Sequence, residues 1–105
     1  MINHTMLVSF TGPIPDEQLD QFLSDIEKAS FATGVLETFA AQRHIPIPGE
    51  EEIPALIATA IVQFGVADEA ALAALFASPA ATEVIHTWQA RYPYKVGWAN
   101  HRSLA

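Results

Sequence analysis

His4 stands in the apolar run Ile2-Asn3-His4-Thr5-Met6-Leu7-Val8. An imidazole in such surroundings, near its pKa, can take or return a proton on a bound phenol, enol or lactone. Its alternate neighbours Met6, Val8 and Phe10 are apolar, so a strand here puts His4 on the covered face with them. The plainer role is a histidine bonded to main chain or to a buried polar neighbour, since buried polar groups are usually satisfied within the protein. Arg91 or a backbone donor is the candidate to orient an anion formed by such a transfer. Phe22, Leu75, Phe76 and Trp88 fall at helical positions expected to face a sheet, where they either wall an apolar ligand or fill the core. Small side chains at Ala58 and Ala60 leave space opposite the helices, which a ligand or Trp88 itself would occupy.

The other candidates carry less chemistry. His44 and the run Glu50-Glu51-Glu52 offer one imidazole and three carboxylates, but adjacent glutamates diverge and a metal needs convergent donors. A solvated loop is expected there, with no metal. His86 falls on the exposed side of a helix, and His101 close to a subunit seam. No Ser-His-Asp order, phosphate-binding glycine loop or dinucleotide fingerprint is present, so no cofactor is expected.

The elements that position these residues read as strand, helix, strand, strand, helix, strand. Ile2–Phe10 is mostly apolar and ends at Thr11-Gly12-Pro13. Pro15-Asp16-Glu17 then opens a helix whose buried stripe is Leu19, Phe22, Leu23, Ile26 and Ala29. Val35–Arg43 is an edge strand, and the proline- and glutamate-rich stretch from His44 to Pro54 is an exposed connection. Ala55–Phe64, uncharged and free of Gly and Pro, reads as a central strand covered on both faces. Asp68 is placed as an N-cap, and Ser78-Pro79 restarts the helix, so the second helix comes in two pieces, the latter burying Val84, Ile85 and Trp88. Tyr94–Arg102 is the last strand.

This order predicts an α+β, ferredoxin-like βαββαβ fold: an antiparallel four-stranded sheet with both helices on one face. The opposite face is bare unless a second copy covers it, so a homodimer through the open sheet face is expected. With 105 residues the chain forms one domain, spanning 1–105. Half of it is hydrophobic and 16% charged, too apolar for disorder and too evenly spread for a membrane span. The net charge of −7, with its five scattered cations, argues against nucleic acid and anionic membranes as partners. Without cysteine there is no disulfide or thiolate chemistry. The start lacks a basic n-region, which makes the cytoplasm the default location.

Several local patterns together resemble the stress-responsive A/B barrel family of the dimeric α+β barrel superfamily. They are the opening Met1-Ile2-Asn3-His4-Thr5-Met6-Leu7-Val8 with its early histidine, Gly34-Val35 after the first helix, and Asp68-Glu69-Ala70-Ala71-Leu72 leading into Ala77-Ser78-Pro79-Ala80. The resemblance implies a homodimer of stacked sheets with a small apolar pocket between sheet and helices in each subunit. A plant polyketide cyclase of that family uses histidines and a tyrosine in the pocket. The first-strand histidine corresponds to His4, but the central-strand histidine falls near Ala58 and the tyrosine near Leu75. The family's His-Pro-x-His pattern is Ser78-Pro79-Ala80-Ala81 here, so the cyclase reaction does not carry over.

Two functions follow for one scaffold. One is a dimeric domain binding a small apolar or aromatic ligand. The other is an enzyme, a cyclase, isomerase or cofactor-independent monooxygenase, with His4 as acid/base. A core filled by Trp88, with His4 bonded only to main chain, rules out the enzyme. A void that holds His4 beside an Asn, Tyr or Arg keeps it open.

Overall fold

Local chemistry at the helix starts accounts for most of the element boundaries. The computed structural model describes residues 1–102. In order the elements are β1 (Ile2–Phe10), α1 (Asp16–Phe31), β2 (Leu36–Arg43), a short 3-10 turn (Glu50–Glu52), β3 (Ala60–Val66), α2 (Glu69–Phe76), α3 (Pro79–Arg91) and β4 (Tyr94–Arg102). Two acids lie in the first turn of α1 and Lys28 in its last, complementing the helix dipole at both ends. The Asp68 carboxylate accepts from the Ala71 N–H at 2.8 Å and caps α2, and the Ser78 hydroxyl accepts from the Ala81 N–H at 3.2 Å and caps α3, with Pro79 first in the helix. The expected break between the two helical pieces is therefore present.

The sheet order is β2-β3-β1-β4 and every neighbouring pair is antiparallel, which is the ferredoxin-like arrangement. Ile2, His4, Val8, Ala60, Val62, Phe64 and Val66 are buried on the helix-covered face, with Leu19, Phe22, Leu23 and Ile26 of α1 above them. Trp88 joins α3 to this core: its Nε1–H donates to Asp25 Oδ2 of α1 at 3.0 Å, and its ring meets Phe22 edge-on. Arg43 at the end of β2 reaches Asp16 and Asp20 on α1, an exposed clasp across the layers.

Two expectations are corrected. The central strand begins at Ala60, not Ala55, and runs on to Val66. Ala55, Leu56 and Ile57 are exposed, and pairing starts at Thr59, whose carbonyl accepts from His44 N–H and whose hydroxyl accepts from Phe10 N–H. Within one chain its second face is open, with Ile61 and Gln63 exposed while their neighbours are buried, and that is the face expected to meet a second copy. Gly65 lets β3 continue beside β2, since a Cβ there would overlap the Thr38 hydroxyl. The other correction lies in α3, where Ile85 is exposed rather than buried. Among the described residues, no helix is long and apolar enough to cross a membrane.

Candidate functional site

The register of the two terminal strands builds the site. β1 and β4 pair so that His4 stands opposite Asn100, and the His4 Nδ1–H donates to Asn100 Oδ1 at 2.7 Å. That bond fixes the tautomer and leaves Nε2 with its lone pair. His4 is 5% exposed and wedged among aromatic rings, with Phe76 and Trp98 centroids 5.0 Å away and Phe64 at 5.5 Å. Among the described residues Nε2 has no hydrogen-bond partner, and no fully buried side-chain nitrogen or oxygen lacks one. The free nitrogen therefore opens onto the cavity that His4 lines.

That cavity, about 290 Å³, lies between the helix face of β1 and β4 and the undersides of α2 and α3. Met6, Phe64, Leu75, Phe76, Val96 and Trp98 give it apolar walls, and Ser30, Thr82, Gln89 and Tyr94 add polar ones. It exists because β4 is an edge strand that α3 only partly covers. Phe76, Ile85, Val96 and Trp98, all partly exposed, rim its mouth. A broader depression of about 470 Å³ lies on the far side of Asn100, bordered by the exposed Arg102–Glu69 ion pair. Its polar lining is solvated and already paired, so the interior cavity is the stronger candidate.

Burial pushes the His4 imidazole below its ordinary value of 6.5, and the Asn100 bond only partly opposes this. The folded state thus holds His4 neutral while the unfolded chain takes up its proton below about pH 6.5. Its contribution to stability is complete above that value, and falls with pH until the lowered folded value is reached. Melting temperatures measured from pH 8 to pH 5 should therefore drop on acidification, and His4→Gln should flatten that part of the profile. Superimposable wild-type and variant profiles would exclude the effect. Glu50 acts in a lower window: the Ile47 N–H and then His44 hold its carboxyl below the usual range, so its contribution is lost only in stronger acid.

Of the residues singled out from the sequence, His4, Leu75 and Phe76 meet at the cavity. Phe22 and Trp88 are packed into the core beside it, with Trp88 filling the α1–α3 seam and not the space beneath α2. Ala58 lies outside the sheet, before β3. Arg91 points away: its guanidinium sits 4.8 Å above the Trp88 ring and donates to Gln18 Oε1 at 3.2 Å. His44 pairs with Glu50, His86 is exposed, and His101 lies on the open sheet face bonded to Thr5. Among the described residues no group of three His, Cys, Asp or Glu is arranged to hold a metal. Asn100, Ser30 and Tyr94 were not anticipated. The alternation Tyr94, Val96, Trp98, Asn100 in the last strand carried the signal for two of them.

No protein-family model and no curated protein sequence matches the chain. Solved structures do. The Arabidopsis thaliana protein At3g17210 is similar with a TM-score of 0.81 at 16% identity, over 100% of this chain and 97% of that one. A Dabb-family protein with a ferredoxin-like fold from Mesorhizobium loti has a TM-score of 0.75 at 18% identity, over 99% of this chain and 97% of that one. A hydroxynitrile lyase from Passiflora edulis has a TM-score of 0.77 at 15% identity, over 99% and 94%. Other structures of this shape are described as dimeric ferredoxin-like proteins, and another as a cofactor-independent oxygenase. At these identities the likeness is one of fold, and the fold is the one that the resemblance to stress-responsive A/B barrels implied.

Proposed function

We propose that the protein is a cytoplasmic, single-domain homodimer that binds a small, largely apolar or aromatic molecule between sheet and helices, with a ligand hydroxyl on Nε2 of His4. One observation carries the reading: a neutral, anchored imidazole turns an unpartnered acceptor into a cavity with largely apolar walls. The volume is at the low end for ligand sites, which favours a compact ring system. Trp98, half-exposed at the rim and in contact with His4, is a built-in reporter. A titration with 2-naphthol followed by tryptophan fluorescence should saturate, and His4→Ala should weaken binding about tenfold, the value of one well-formed buried hydrogen bond. Equal affinity in the variant would remove His4 from the site.

A second reading is favoured by the same imidazole. With Nδ1 tied to Asn100 and its pKa lowered by burial, His4 is suited to act as a general base toward an acidic O–H or C–H, as a cyclase, isomerase or cofactor-independent oxygenase requires. Enzymes occur among structures of this fold. Deuterium uptake at the methyl group of 2-acetylnaphthalene in heavy water tests the base without knowledge of the true substrate. Catalysis that disappears in His4→Ala supports the enzyme, and uptake at the buffer rate leaves the binding function alone.

The dimer rests on the uncovered sheet face. Leu7 and Ile61 stand directly opposite each other on it, 39% and 41% exposed, with Gly97 on the other side of Leu7. Structures of the same shape described as dimeric add support.

A further inference from the structure

The cavity is polar at both ends. His4 pairs with Asn100 and Phe10 with Tyr94, so six residues of strand separate the two rows. At ~3.3 Å per residue that is about 20 Å of backbone, so for both to line one cavity of about 290 Å³ their side chains reach into it from opposite ends. Three lining side chains are more than nine-tenths buried, His4 at 5% exposure, Ser30 at 3% and Tyr94 at 7%, and each has a hydrogen-bonding atom without a partner among the described residues. Ser30 belongs to the His4 end. It closes α1 just before Leu36, which pairs with Val66, which in turn pairs with Ile2.

Tyr94 marks the remote end and is held there by Gln89. The Gln89 amide donates to the Tyr94 carbonyl at 2.9 Å and accepts from the Tyr94 N–H at 3.1 Å, leaving the phenol itself free. Burial raises that phenol to about 12, so at neutral pH it remains an O–H donor. Between the ends the walls are Met6, Val96, Leu75 and Trp98. No cationic side chain lines the cavity and the chain as a whole carries −7, so a buried carboxylate would find no counter-charge.

We infer that the ligand is a flat, neutral ring molecule with a hydroxyl at one end, for His4 and Ser30, and a carbonyl oxygen at the other, accepting from Tyr94. This rests on the ligand-binding reading of the same cavity and adds its second anchor. Calorimetric titrations with 6-acetyl-2-naphthol, 2-naphthol and 6-hydroxy-2-naphthoate separate the two claims. The hydroxyketone should bind the wild type about tenfold tighter than 2-naphthol, and the naphthoate more weakly than the ketone. Tyr94→Phe should abolish the ketone's advantage over 2-naphthol. It should melt with the wild type, because the deleted hydroxyl bonds nothing among the described residues, and the melting point reports whether the fold is intact. Equal wild-type affinity for ketone and naphthol, an advantage that survives Tyr94→Phe, or a preference for the naphthoate would overturn the inference while His4-dependent naphthol binding stands. Absence of binding by all three probes would remove both claims.

Discussion

Trp88→Ala is expected to lower stability by about 3–5 kcal/mol, the usual cost of deleting a large buried aromatic side chain. Trp88 is 1% exposed and joins α3 to α1 through an edge-on ring against Phe22 and the indole N–H on Asp25, with Tyr92 stacked on it at 6.2 Å and the Arg91 guanidinium above it. Removing it opens a void between helices and takes away one donor to Asp25, leaving it the Gln21 amide. Domains of this size hold about 5–15 kcal/mol in all, so the variant should be close to unfolding at body temperature, with a melting point roughly 15–25 °C lower. Trp88→Phe keeps the ring and loses the Asp25 bond, and should cost about 1–3 kcal/mol. Denaturant titrations at one fixed protein concentration measure both, because association also stabilises the folded chain. A loss under about 1 kcal/mol for Trp88→Ala would mean that α3 is held by something other than this seam.

The same residue shows how far the sequence could be read. Its helical spacing marked it as buried, and the caps at Asp68 and Ser78-Pro79 placed its helix, because capping is decided by residues adjacent in the chain. Strand register is decided elsewhere. Nothing local shows that Ala55-Leu56-Ile57 stays outside the sheet, since an apolar run has the same composition whether or not it joins a ladder. His4 could be singled out by its neighbours, but its partner Asn100 lies 96 positions away and meets it only once β1 and β4 are known to be adjacent. Ser30 escaped notice because a serine near a helix end reads as solvent-facing, and here the turn into β2 brings it over the cavity. Arg91 was placed by charge alone. An aromatic ring one helical turn back, at Trp88, and an amide on α1 drew its guanidinium the other way.

Leu7→Lys is expected to convert the proposed dimer to monomers. The open sheet face bears small or uncharged side chains over most of its area: Thr5, Gln63 and Ala99 in one row, Leu7, Ile61 and Gly97 in the next. Thr5 accepts from Gln63 at 3.2 Å and also bonds His101, so these polar groups satisfy one another within their own face. A second sheet can then approach to about 10 Å without stranding them. Two-fold symmetry doubles every change at this contact, so one lysine per chain buries two ammonium groups with no acid among the residues just named to meet them. Several kcal/mol of desolvation should raise the dimer Kd at least ~100-fold. Sedimentation velocity at micromolar concentration reads the change directly, and the lysine variant should keep its far-UV circular dichroism because Leu7 is not part of the buried core. The charge of −7 on each protomer opposes association, so the wild-type dimer should tighten as salt is added, until screening is complete. A wild type that sediments as single subunits under these conditions would overturn the dimer. A Leu7→Lys variant of unchanged Kd would move the contact to the other exposed apolar stretch, Ile45, Ile47 and Ile53 in the connection before β3, where the Glu50–Glu52 run would make salt dependence steeper still.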